Sequence, residues 1–304
     1  MNKLLLSYLL TIGISATAGA ATGIILKRTV GPIDEMYPPG FDPKEFSPNV
    51  SEIMNRYDKL SDKSINGVST YPESDVINIV LEKYRTSENC YSIGIGNANV
   101  PSVGVNQSIR SAQIKIGEEY FEEQISISKY ANVAKRTIQH GKDGEIDFYS
   151  GTANSAENAT YPETSKAFTK SKYKKYLGKT LDEMFIYIIS EKTTLKSSRA
   201  IKGDEVVIDL ELNPNLSTYY YKTQMLNISG LANLPPFSEV KLQFTCTKNL
   251  ELTHLKVDET YTATKDGVPV PAETHNIINY YYHVGEYIDI PDYKTMIDYK
   301  IQEA

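Results

Sequence analysis

The residues with the greatest chemical capacity in this 304-residue chain are its four histidines and the carboxylates near them. The stretch "HVGEYIDIPDYK" sets His283 beside Glu286, Asp289 and Asp292, a donor set that could hold a hard or borderline cation. Its spacing fits no metal-binding loop, and side chains on a twisting strand diverge, so the stretch reads as a polar strand end. His140 stands next to the turn at Gly141 to Gly144 and reads as solvated. His254 interrupts the alternation between Leu252 and Leu255 and reads as the mark of a bulge. There is no Gly-x-Ser-x-Gly, no His-Glu-x-x-His and no phosphate loop. "GIGNANV", Gly94 to Val100, lacks the third glycine of a dinucleotide fingerprint and has no helix behind it, which leaves a strand end with a loop. The expectation is a protein that is not an enzyme and uses neither cofactor nor metal.

Binding chemistry is better represented. Tyr219 to Tyr221 and Tyr280 to Tyr282 form two tyrosine triplets. Alternate members can turn rings inward and hydroxyls to a cavity mouth, as an amphiphile requires, or serve as cross-strand pairs and surface cover. "KSKYKKYLGK", Lys170 to Lys179, is the one basic cluster; it reads as a solvated loop before a capped helix, with contact to anionic headgroups as the alternative. A net charge of -6 gives no basic face for nucleic acid, and that partner class is excluded. Cys90 and Cys246 are the only cysteines, and the sequence leaves open whether they pair or are two small buried hydrophobes.

The elements that must position these residues are mostly strands. With 40% hydrophobic residues, 23 Tyr and no Trp, the chain suits half-buried pleated surfaces. "SEVKLQFTC" sets Val240, Leu242, Phe244 and Cys246 on one face and polar residues on the other. "DEVVIDLEL" does the same with Val206, Ile208, Leu210 and Leu212, and "STYYYKTQMLNIS" follows as a further strand. A hairpin alternates through Ile114 and Ile116, turns near Gly117 and continues through Phe121, Ile125 and Ile127. A second turns at Gly141 to Gly144, with Ile138, Ile146 and Phe148 facing the same way. The last strand holds Ile278, Tyr280, Tyr282 and Val284 in register. Two amphipathic helices are expected. One follows a Ser74 cap with Ile77, Val80, Leu81 and Tyr84 on a face. The other carries Leu181, Met184, Phe185, Ile188 and Ile189 behind a Thr180/Glu183 capping box. The fold class is α+β, a curved antiparallel sheet with helices packed on its concave face.

Residues 1–26 hold an apolar run, Leu4 to Leu26, that reads as a signal peptide or a membrane anchor. Residues 27–73, with Pro32, Pro38, Pro39, Pro43 and Pro48, read as a stiff spacer ahead of a domain over 74–304. The expected location is the extracytoplasmic side of a cell membrane, with secretion if the segment is cleaved.

The hairpin "VKLQFTCTKNLELTHLKVDETYTA" and the ending "NYYYHVGEYIDIPD" resemble the late strands of the LolA/LppX-like lipoprotein carriers. That resemblance implies an unclosed half-barrel wrapped round helices over an apolar cavity, with a lipid or other hydrophobic small molecule as partner. It assigns the cavity lining to Val206, Ile208, Leu210, Leu242, Phe244, Tyr280 and Tyr282. The chain departs from the mycobacterial members in lacking a lipidated cysteine, which leaves the mode of anchoring open. The alternative is an extracytoplasmic interaction or envelope-assembly module with a solid core.

Overall fold

A computed structural model of the chain describes residues 37–128, 133–153, 164–183, 186–229, 236–265, 268–283 and 288–292. Six strands come first: β1 (Asn89–Val100), β2 (Val105–Ile116), β3 (Glu119–Ser128), β4 (Val133–Lys142), β5 (Glu145–Ala153) and β6 (Thr164–Thr169). Five follow: β7 (Thr194–Lys202), β8 (Glu205–Leu212), β9 (Phe237–Thr247), β10 (Leu252–Lys265) and β11 (Val268–Tyr282). They form one curved, unclosed antiparallel sheet in the order β6-β5-β4-β3-β2-β1-β11-β10-β9-β8-β7. The chain meanders from β1 out to one edge, crosses to the opposite edge and meanders back until β11 pairs with β1, Cys90 opposite Tyr282. Helices α1 (Val50–Asp58) and α2 (Glu73–Thr86) precede the sheet. α3 (Lys170–Leu177), the single turn α4 (Pro214–Ser217) and α5 (Tyr219–Ser229) interrupt it.

Local chemistry explains the ladder. Asp143 and Gly144 take positive φ of 52° and 85°, the pairing that a two-residue hairpin requires, and they join β4 to β5. The register of β9 and β10 shifts between Leu252 and His254, where the sequence marks a bulge. The Leu252 N–H beside that bulge donates to the Tyr282 hydroxyl at 2.7 Å, so it is not left bare. The edge strand β7 carries Lys196, Ser197, Ser198, Arg199 and Lys202, a composition that discourages further pairing.

The main core lies between α1, α2 and the inner face of β8–β11. Val76, Ile77, Ile79, Val80 and Tyr84 of α2 pack with Val206, Ile208, Leu242, Phe244 and Val257, all buried. Tyr84 meets Tyr280 and Tyr282 edge-on at centroid distances of 5.0 and 5.4 Å. Between the apolar terminus and Ser74, Asn49 caps α1, and Ile53, Tyr57, Ile65 and Val68 join this same core. α2 starts at Glu73 behind Pro72, so Ser74 lies inside the helix rather than capping it. Cys90 and Cys246 are both buried free thiols on the inner face.

Three elements differ from expectation. No helix forms over the described residues 181–183 and 186–190; Met184 and Phe185 lie outside the described residues. The Thr180 N–H does bond Glu183 at 3.1 Å, but the backbone beyond is claimed by other partners. The buried Lys179 donates to the Glu183 carbonyl, Asn78 to the Ile189 carbonyl, and Ile188 N–H to the Ser217 carbonyl. Ile186, Tyr187, Ile188 and Ile189 are all buried, so these four residues have no solvent face for an amphipathic helix to present. The first tyrosine triplet is in α5 rather than a strand, because Tyr221 packs on Tyr187 and Phe237 and Tyr219 on Tyr37; packing overrides β-propensity. The basic cluster is α3, not a loop, capped by Thr169 and turned inward by a fully buried Tyr173.

The described residues contain no helix long and apolar enough to cross a membrane, and the Leu4 to Leu26 segment lies outside them.

Candidate functional site

Strand register divides the inner face into two unlike halves. Over β8–β11 it is apolar and filled by α1 and α2. Over β2–β4 it is polar. Gln113 stands opposite Glu122 and Glu122 opposite Gln139; one row along, Ser111, Gln124 and Thr137 are in line. All six are buried. Ile109 apart, the isoleucines of this half face the other way: Ile114 and Ile138 form an outer-face cluster with Phe121 against Ile288 and Ile290. Ile138 therefore does not share a face with Ile146 and Phe148, which sit inside against Tyr173 and Leu181. The alternation is as regular as the sequence implies, with its polar side turned inward.

Between the halves, β1 offers the inner face only Ser92, Gly94, Gly96 and Ala98 alongside Cys90 and Val100. By register, these small residues leave a trough in the side-chain relief of the inner face. One wall is Ile278 and Tyr280 of β11; the other is Gln113, Ser111, Ile109 and Gln107 of β2. At Gly96 a β-carbon would stand 1.8 Å from the Asn276 side-chain oxygen, so no other residue fits while Asn276 crosses the trough there.

Several donors and acceptors in the polar wall are spent within the protein. Tyr173 donates to Gln139, and Gln139 donates to Glu122 at 3.0 Å. Gln113 donates to the Leu181 carbonyl at 3.2 Å. Others are not. Both amide atoms of Gln107, both of Gln124 and the second carboxyl oxygen of Glu122 are buried without a hydrogen-bond partner. Burial pushes the Glu122 carboxyl up to about 8, against the pull of Lys179, and pushes the buried Lys179 ammonium down. Glu122 is thus mostly an uncharged acid at neutral pH.

The lining residues named from sequence fall in the apolar half. Val206, Ile208, Leu210, Leu242, Phe244 and Tyr280 belong to the main core, and Tyr282 packs against it half-buried. Tyr280 alone also borders the trough. The polar wall was not singled out from the sequence, although Gln107, Ser111 and Gln113, then Glu122, Gln124 and Ser126, alternate with period two.

Elsewhere, a cleft of about 380 Å³ opens between α2, α3 and the strap, lined by Leu81, Glu82, Arg85, Glu183, Tyr187 and Tyr220. Its charges are already matched, Arg85 with Glu82 and Asp182, and Lys174 with Glu183. Among the described residues no His, Cys, Asp and Glu cluster could hold a metal; Glu286 lies outside them. His140 is not simply solvated, since its Nε2 meets Glu119 at 2.6 Å with the side chain only 12% exposed.

No family model matches the chain, and no curated protein does. Among solved structures it is similar to a DUF1329 family protein from Desulfovibrio piger, at 12% identity and a TM-score of 0.27, over 76% of this chain and 98% of that one. It is also similar to a putative outer membrane lipoprotein-sorting protein domain from Vibrio parahaemolyticus, at 8% identity and a TM-score of 0.27, over 73% and 96%. A porin-like protein from Bacteroides uniformis follows at 10% identity and a TM-score of 0.20, over 62% and 95%. The second is by name of the lipoprotein-sorting kind that the late strands resemble, but overlap of this extent assigns neither family nor ligand.

Proposed function

We propose that the protein is a non-catalytic binding protein for a lipid or other hydrophobic molecule with a polar end. The ligand is held in the inner trough over β1–β4, on the extracytoplasmic side of a membrane to which the N-terminal segment attaches the chain. One observation carries this reading: the wall formed by β2 and β3 is buried and polar, and the four amide atoms of Gln107 and Gln124 have no partner. Leaving a buried polar group unmatched costs about 1–3 kcal/mol, and folded proteins match nearly all of them. A bound polar group matches them at once, while Ile278, Tyr280 and the small floor of β1 accommodate a chain. The test is mass spectrometry of solvent extracts of the gently purified full-length protein, with uptake of an uncharged environment-sensitive dye as a second measurement. An amphiphile in molar proportion to protein is expected; clean extracts and no dye uptake would end this reading.

The interaction-module reading has its own support. Val206, Ile208, Leu210, Leu242 and Phe244 are close-packed beneath α2, so the apolar half is solid. That reading survives if the trough takes up nothing.

A further inference from the structure

Resting on the amphiphile reading, we propose that the polar wall selects an uncharged, hydroxyl-bearing head group of the glyceride kind over a carboxylate or a phosphate. Gln107 and Gln124 each present a donor and an acceptor, all unpartnered, with Gln107 fully buried and Gln124 only 4% exposed. A hydroxyl both donates and accepts, so it can answer either end of an amide; an anionic oxygen answers only the donor. Glu122 adds an unpartnered carboxyl oxygen, and Ser126 and Thr137 set hydroxyls on the same face.

Lys115 and Lys179 reinforce the choice. An anion buried here needs a countercharge, since an unpaired buried charge is far costlier than an unpaired dipole. Lys115 donates to the carbonyls of Arg85 and Ser87 at 2.6 and 2.7 Å, and Lys179 to the carbonyl of Glu183 at 3.0 Å. Both ammonium groups are committed to main chain at the end of the trough nearest α2 and α3. Arg136 faces outward, in an ion pair with Glu123, while its neighbour Lys135 stands opposite Ser126 on the inner face. Burial keeps the Glu122 carboxyl uncharged at neutral pH, so this side chain offers a neutral diol a further donor.

The experiment is displacement of uncharged N-phenyl-1-naphthylamine from the full-length protein by competitors of one acyl chain: the monoacylglycerol, the fatty-acid anion and the lysophosphatidic acid. The monoacylglycerol should displace the dye at about tenfold lower concentration or better, the value of one buried hydrogen bond to a neutral group. Gln107→Leu and Gln124→Leu should each reduce that advantage about tenfold. Equal displacement by all three, or a preference for either anion, overturns the head-group assignment and leaves the amphiphile reading standing. No dye uptake at all overturns both. The comparison on the unaltered protein decides the matter even if a variant fails to fold.

Discussion

Replacing Glu122 by Gln tests the electrostatics of the trough most directly, because two opposed accounts give opposite signs. Glu122 is 1% exposed, shares one oxygen with Gln139, and has its carboxyl pushed up to about 8 from an ordinary 4.5. The folded state therefore keeps a proton that the unfolded chain gives up. This contribution is fully present below about pH 4.5, and stability is lost as pH rises through about 8. At about pH 7 the unfolded chain gains some 2.5 pH units of ionisation that the folded state forgoes, which amounts to on the order of 3 kcal/mol. Gln keeps the shape and an acceptor for Gln139 and has no proton to hold. Glu122→Gln should then be more stable by that amount near neutrality and equal to the parent near pH 4.5. Glu122 and Lys179 act on each other, so the difference between the two proteins includes that coupling. Urea unfolding of the full-length chain in mild detergent at about pH 5, 7 and 9 reads the effect. If Glu122 and Lys179 are instead an ionised pair, Gln strands a buried ammonium and costs about 3–5 kcal/mol. A loss of stability at neutral pH would refute the uncharged wall.

Other expectations can be measured on the same material. Phe244→Ala, at a fully buried core position, should cost about 3–5 kcal/mol in a thermal or urea melt; a near-zero shift would mean that the apolar half is hollow. Gly96→Ala drives a β-carbon against Asn276 and the His275 carbonyl and should cost about 1–3 kcal/mol, whereas a neutral melt would mean that Asn276 does not cross the trough. Burial raises both thiols, Cys246 to about 11, so neither should react with a thiol reagent near neutral pH until the chain unfolds. Tyr187→Phe removes a donor to the buried Glu259 and should cost about 1–3 kcal/mol, read by the same melts.

Much of this architecture is legible in the residues themselves. Alternation through Val206 to Leu212 and Val240 to Cys246 locates β8 and β9; Gly117 and Asp143–Gly144 locate two hairpins; His254 marks the bulge. Alternation tells which residues share a face but not which face turns inward. In β2–β4 the isoleucines other than Ile109 go out and the glutamines in, and only the placement of Ile288, Ile290, α3 and the strap decides that. The strap misleads for a related reason, since apolar residues that recur at helical spacing also recur when everything in a segment is buried. The trough needs long-range register to be seen at all: Gly94 and Gly96 look like loop residues until β2 and β11 flank them.

The order of strands also governs when the sheet can be completed. Each meander, β1 to β6 and β7 to β11, zips through neighbours in sequence, but the ladder uniting them joins β1 to the last strand. Until Tyr282 has left the ribosome, β1 carries a bare hydrogen-bonding edge with Ile93 and Ile95 beside it, the condition under which chains pair with one another. Closure of so distant a contact is slow relative to hairpin formation. The rate-limiting event in refolding should therefore be the docking of two preformed meanders along β1, and chains truncated before β11 should aggregate rather than fold.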